Sequence, residues 1–185
     1  MRKLIVSEFV SLDGVMEAPG GEPGYAHTGW VGDLFSPELE QHKFQEVQDA
    51  EAQLLGRVTY ESFAGAWPGY EGPFADRMNS MPKYVVSSTL RDPDWTNTEV
   101  LQGDPLGAVA TLKEGDGGPL LVAGSRTLVH ALLPAGLVDE LRVMVFPVVL
   151  GSGFRVWPSS PDKIDLQQAR TLELPNGVVE LTYSR

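Results

Sequence analysis

Two places in the chain run a short apolar stretch into glycine and then, with no spacer, into a helical pattern. They are QLLG-RVTYESF around Gly56 and LLVAG-SRTLVHALL around Gly124. The first turn of a helix leaves backbone N–H groups without intrahelical acceptors, and the aligned peptide dipoles place about half a positive charge there. Glycine at such a corner lets an anionic group approach the backbone closely. Arg57 and Arg126 follow the two corners, and Thr59 and Ser125 add hydroxyls. Guanidinium groups there would make charge-assisted hydrogen bonds. Two anion sites at the carboxyl ends of strands in one sheet suit the linked phosphates of a dinucleotide. Neither corner has the G-x-G-x-x-G spacing of the ordinary dinucleotide fingerprint. Taken singly, each is equally well a structural junction.

A third cluster, Ser87, Ser88 and Thr89, has Arg91 just beyond it and follows another apolar stretch. Three successive hydroxyls suit the extra 2′-phosphate that separates NADP from NAD. A Ser/Thr turn capping the strand is the plainer alternative. The three clusters together, each at a strand end, favour a nucleotide.

These groups need a scaffold, and the hydrophobic periodicity supplies one. Strands are expected over 3–12, 53–56, 83–87, 98–101, 119–123, 141–150, 166–174 and 178–184, and helices over 37–51, 57–64, 74–81, 105–114 and 125–133. Ser36 and Asp104 read as N-caps, each followed by proline at the first helical position. The PNG at 175–177 signals a hairpin. Strand and helix alternate until that closing pair. The order predicts a single α/β domain over 1–185: a three-layer α/β/α sandwich whose mostly parallel sheet ends in an antiparallel C-terminal hairpin.

Composition narrows the function. The chain has 185 residues, a net charge of −11, no cysteine and three histidines, His27, His42 and His130, none at ligand spacing. No metal site is expected. The negative field disfavours nucleic acid and anionic membranes. No apolar run reaches the roughly 20 residues needed to span a bilayer. The N-terminal MRKLIV starts like a signal peptide, but Ser7 and Glu8 interrupt it. It reads as the first strand of a cytoplasmic protein. The Gly- and Pro-dense stretch 13–37 is long for a structureless loop. Its Met16, Tyr25, Trp30 and Phe35 would cover a flat apolar ligand, or else dock on the core. Glu8 either points into a cleft or marks where the strand meets water. Asp139 and Glu140 are expected to begin a strand in solvent, and PVVLGSGF at 147–154 to line a cleft or turn the chain. His130 reads as an interface or core residue, and Trp67, Trp95 and Trp157 as packing or dimer contacts.

GRVTYESF resembles the Gly-Arg-x-Thr-Tyr/Trp-Glu signature of dihydrofolate reductase-like proteins. FVSLDGVME is similar to that family's first strand and following loop, and VVSST to its cofactor-adenosine segment. VAGSRTLVHALLPAGLVDELRVMVFPVVLGSG resembles the reductase domain of riboflavin biosynthesis deaminase–reductases, the RibD C-terminal domain. The resemblance runs nearly end to end. It implies that Gly56, Arg57 and Thr59 hold cofactor phosphates and that Ser87, Ser88 and Thr89 face the adenosine 2′-phosphate. Gly124, Ser125, Arg126 and Leu128 would pack on the pyrophosphate and the nicotinamide side, with Ser125 replacing the family's second glycine. Phe9, Asp13 and Gly14 would lie near the nicotinamide, and Trp30 and Phe35 would join them on the substrate side.

The expected activity is therefore NADPH-dependent reduction of a flat heterocyclic small molecule. Its type is that of dihydrofolate reductase or of the 5-amino-6-(5-phosphoribosylamino)uracil reductase of riboflavin biosynthesis, in a cytoplasmic homodimer. The alternative is a catalytically idle dinucleotide-binding dimer that serves as a sensor. Folate reductases use a carboxylate on the first helix. Glu38 and Glu40 are in that neighbourhood, although a solvated pair at the helix N-terminus explains them better. No catalytic proton donor is assigned.

Overall fold

Leu4–Ser11 is apolar on both faces apart from Ser7, Glu8 and Ser11, and it becomes the inner strand β1. A strand covered on both sides belongs inside a parallel sheet. In the computed structural model, which describes residues 1–159 and 163–185, that sheet has eight strands. After β1 come β2 (Ala52–Gly56), β3 (Lys83–Val86), β4 (Thr98–Leu101), β5 (Leu120–Ala123), β6 (Glu140–Phe146), β7 (Gln167–Glu173) and β8 (Val179–Ser184). Their spatial order is β4-β3-β2-β5-β1-β6-β8-β7. All neighbours up to β6 are parallel, and β6-β8 and β8-β7 are antiparallel. The α/β sandwich with a C-terminal hairpin is as expected.

Helices α1 (Pro37–Asp49), α2 (Arg57–Ala66) and α3 (Pro73–Ser80) pack on one face, where Val47, Tyr60 and Met78 meet Ile5, Leu55 and Leu121. Helices α4 (Pro105–Glu114) and α5 (Arg126–Leu132) pack on the other, where Val109, Leu128, Val129 and Leu132 meet Leu4, Val6 and Val10. The caps are as the sequence suggests: Ser36 Oγ accepts from Leu39 N at 3.2 Å and Asp104 Oδ2 from Gly107 N at 2.8 Å. The hairpin turns through Asn176 and Gly177, both left-handed (φ 60° and 75°), the conformation that short Asn-Gly turns use.

Two expectations change. The sixth strand stops at Phe146 rather than 150, because Pro147 has no N–H to continue the ladder. Asp139 and Glu140 are not solvated strand ends. Asp139 accepts from Leu4 N (2.7 Å) and Lys113 Nζ (2.6 Å), and Glu140 is held between Lys3 and Arg142. Trp95 is core packing: its indole N–H donates to Asn79 Oδ1 at 2.8 Å. The buried Lys83 ammonium lies 4.2 Å from its ring and donates to three backbone carbonyls. Burial and nearby Arg77 pull that lysine down to about 8.

Candidate functional site

β1 outruns β5. Leu4–Ser7 pair with β5, whereas pairing with β6 continues to Ser11. Where β5 turns away into α5, a cleft of about 1260 Å³ opens at the carboxyl ends of the strands. One wall is made by the two glycine corners, which abut. Gly56 N donates to Ser125 Oγ at 2.7 Å, and a Cβ on Gly124 would lie 3.3 Å from Thr59 Cγ2. Gly124 and Ser125 are both left-handed, at φ 76° and 68°. For serine that costs roughly 1–2 kcal/mol, which the hydrogen bond to Gly56 offsets. The Gly56 amide is thereby engaged, so the donors this corner offers are the first-turn amides of α2. Neither α2 nor α5 has a side-chain cap, so those amides are left to solvent or a ligand.

Gly56, Arg57, Thr59, Gly124, Ser125, Arg126 and Leu128 all line the cleft. The arginines are partly committed. Arg57 pairs with Glu61 along the helix at 2.8 Å, and the Arg126 guanidinium stacks 3.8 Å from the Phe154 ring centroid. Ser87, Ser88 and Thr89 follow β3, whose Val86 pairs with Gly56, but they are outside the cleft wall. Ser87 Oγ accepts from the amides of Thr89 (3.1 Å) and Leu90 (2.9 Å), the plain Ser/Thr turn, while Ser88 and Thr89 are exposed.

The cleft also has aromatic lining. Phe9 and Phe35 pair edge-to-face at 6.0 Å, and Met16 and Tyr25 of the long loop line it too. Trp30 does not join them. Its indole N–H donates to the Glu17 carbonyl at 2.7 Å, and its ring packs on Phe146. Asp13 and Gly14 are also outside the wall. The Asp13 carboxylate accepts from Ser11 Oγ (2.7 Å), Leu150 N (3.1 Å) and Gly151 N (2.8 Å). The Ser11 hydroxyl and the Leu150 amide hold it down at about 2. It clasps the segment 147–154 rather than facing a ligand. That segment carries Phe154 into the cleft through Gly153, whose φ is 121° and whose Cβ would lie 2.7 Å from Val15 Cγ1 and 2.9 Å from Tyr25 Oη. Gly153→Ala is expected to cost about 2 kcal/mol in urea unfolding, from strain plus overpacking.

The floor holds Glu8, Lys43 and Glu46, of which the sequence pointed only to Glu8. Glu38 and Glu40 are exposed, Glu40 at the cleft lining and Glu38 outside it, and Glu38 is held below the ordinary carboxylate range by its own backbone amide and the Ser36 hydroxyl. The buried carboxylate of α1 is Glu46. It accepts from Arg142 Nη1 at 3.0 Å, from Ser7 Oγ at 2.9 Å and from the Lys43 ammonium. Burial pushes Glu46 up, but Lys43, Arg142 and Ser7 outweigh it and leave it below its usual value. Glu8, 3 % exposed, also points into the cleft. Burial pushes it up to about 8 against the pull of Lys43 and the Gly124 amide, with Glu46 adding to the rise. The break in the apolar strand at Ser7-Glu8 was the available signal. His130 bonds through Nε2 to the carbonyls of Arg155 (3.2 Å) and Val156 (3.1 Å), a structural clamp.

The chain resembles two Bacillus subtilis (strain 168) proteins, the uncharacterized YyaP and YwjB, each at 28 % identity. The alignments cover 98 % of this chain and 94 % of YyaP, and 100 % of this chain and 98 % of YwjB. Its fold matches the crystal structure of a putative riboflavin biosynthesis protein from Shewanella sp. PV-4, with a TM-score of 0.78, 19 % identity and coverage of 99 % and 98 %. A pyrimidine reductase-like protein from Corynebacterium diphtheriae matches with a TM-score of 0.65 and 12 % identity, covering 99 % of this chain and 91 % of that one. The sequence itself matches the RibD C-terminal domain over residues 2–180. With that span, the chain belongs to the RibD C-terminal domain family, a family of reductase type whose implied cofactor is a nicotinamide nucleotide.

Proposed function

We propose that this protein is an NADPH-dependent reductase of a flat heterocycle, of the dihydrofolate reductase or 5-amino-6-(5-phosphoribosylamino)uracil reductase type. The observation that carries the reading is the abutment of two glycine corners on one cleft that Phe9 and Phe35 also line. The corner amides and the Arg126 and Thr59 side chains would hold the diphosphate, and Phe9 and Phe35 would bound a planar ring. A bound nicotinamide supplies the hydride. The chain itself orients the ring, excludes water and manages the proton. The names of the two structural neighbours, one a riboflavin biosynthesis protein and one pyrimidine reductase-like, lean the substrate toward an aminopyrimidinedione. We take the enzyme to be cytoplasmic and homodimeric. Half-exposed Trp157 and exposed Val149 are apolar surface that supports the dimer, and light scattering checks it.

The test is loss of NADPH absorbance with dihydrofolate, a set of pterins and a set of aminouracils. Consumption with one member is the expected result. Tight binding without consumption across the whole set would favour the idle sensor, and no binding would remove the reading. Ser87, Ser88 and Thr89 would take the 2′-phosphate from the end of β3. Ser88→Glu is then expected to weaken NADPH by about tenfold more than NADH, through like-charge repulsion. Equal losses in a binding titration would remove that assignment.

A further inference from the structure

Ser7 pairs with Ala123, so Glu8 stands level with Gly124, just where the chain leaves the sheet. The step between β1 and β5 makes a notch in the cleft floor, the kind of strand-order switch at which open α/β sheets take ligands. Glu8 fills that notch. It is nine-tenths and more buried, it lines the cleft, and its Oε1 has no hydrogen-bond partner among the described residues. An orphaned buried polar atom calls for an explanation, and the fold supplies none. The charges that act on it are Lys43 and Glu46 of α1, and the Gly124 amide at the β5–α5 corner is its hydrogen-bonding neighbour. Lys43 is committed to Glu46 and Ser7, and Glu46 also to Arg142 of β6. The Glu8 proton is therefore unclaimed.

We propose that Glu8 is the catalytic acid of this cleft, the group that delivers a proton to the heteroatom of the bond being reduced. The proposal rests on the reductase reading above. Reduction of a C=N bond adds a hydride to carbon and a proton to nitrogen. The hydride comes from the reduced nicotinamide, which is oxidised by two electrons. As the C=N π pair moves to nitrogen, the Glu8 O–H bond breaks and an N–H bond forms. Glu8 is left as a carboxylate beside the Lys43 charge and regains its proton from water once product leaves. Burial keeps the carboxyl protonated at neutral pH, as a general acid must be.

The test compares binding of NADP⁺ and of NADPH by titration calorimetry across about pH 6–9, in the wild type and in Glu8→Gln. The oxidised ring carries a positive charge and the reduced ring is neutral. NADP⁺ therefore pulls the proton off Glu8 and NADPH does not. The NADP⁺/NADPH affinity ratio should rise with pH by up to about tenfold per unit below the Glu8 pKa, and it should be flat in Glu8→Gln. Titration of the 2′-phosphate affects both forms and cancels in the ratio. With a heterocycle the wild type reduces, Glu8→Gln should lower turnover by about 100-fold, with NADPH affinity little changed and partial recovery in Glu8→Asp. A pH-independent ratio in the wild type, the same slope in Glu8→Gln, or unchanged turnover in that variant would each overturn the proposal while leaving the reductase reading standing. If neither dinucleotide binds, the reductase reading falls and the acid with it.

Discussion

Glu46→Leu should destabilise the protein by about 3–5 kcal/mol, the cost of stripping one partner from a buried ion pair. Helix α1 presents Leu39, Lys43, Glu46 and Val47 to the interior, so two of its four buried positions are charged. Lys43 and Glu46 are three residues apart on that face, at 8 % and 4 % exposure. They are tolerable only together, because an unpaired ammonium in that position has lost its water and gained nothing. Without Glu46, Lys43 keeps the Ser7 hydroxyl, at 2.7 Å, and the face of the Phe9 ring, 5.3 Å away, neither of which carries a charge. Arg142 is protected, since Glu140 also bonds it, at 2.7 and 2.6 Å. The double variant Lys43→Met/Glu46→Leu should therefore recover most of the loss, because apolar replacement of both partners is often neutral or better. Urea unfolding of the three proteins decides it. A single-variant cost under about 1 kcal/mol, the range of exposed pairs, would mean that the pair is solvated.

The same substitution reaches the neighbouring carboxyl. Glu46 is one of the groups that raise Glu8, and Lys43 is one that lowers it. Removing Glu46 takes away the first effect and frees more of the second. Both changes push Glu8 toward ionisation, so part of the stranded lysine charge finds a new partner at the expense of the acid.

What the sequence disclosed about this site was what is written locally. The helix starts at Ser36-Pro37 and Asp104-Pro105 were readable because a cap, a proline and the first-turn amide it serves are within four residues of one another. The glycine corners were readable for the same reason. Their contact was not, since Gly56 and Ser125 are 69 residues apart and meet only because β5 is placed beside β2. A local argument about carboxylates on α1 sees the helix end, and so finds Glu38 and Glu40. Glu46 matters because Ser7 and Arg142, 39 and 96 residues away, are brought against the middle of the helix. Asp139 and Glu140 looked like solvated strand residues because their partners Lys113, Leu4 and Lys3 are 26, 135 and 137 residues away. The overrun of the sixth strand was different in kind. Pro147 was in view, but the branched run Val148-Val149 outweighed it. For Trp30 the sequence leaves a ligand cover and core docking open, and its indole N–H on the Glu17 carbonyl and its ring on Phe146 decide for the core.

Glu8→Gln should make the protein progressively more stable than the wild type as pH rises from about 4.5 to about 8. The sign follows from proton counting. In the unfolded chain Glu8 has the ordinary value, 4.5, and in the folded chain burial pushes it up to about 8. Below the lower value both states hold the proton and the carboxyl makes no pH-dependent contribution. Between the two values the folded state keeps the proton and the unfolded state has released it. Raising the pH then favours unfolding by about 1.4 kcal/mol per unit. Above the upper value both are ionised and the penalty is constant. Over that window the wild type should lose up to about 5 kcal/mol relative to the glutamine variant, whose side chain does not titrate. Other groups titrate in both proteins, so the difference between the two urea stabilities isolates Glu8. Any fixed cost of placing an amide in the notch shifts the difference by a constant and leaves its slope untouched. A difference that stays flat from pH 5 to 8.5 would show that Glu8 is ionised in the folded protein. It would then be a partner for Lys43, with no proton to give.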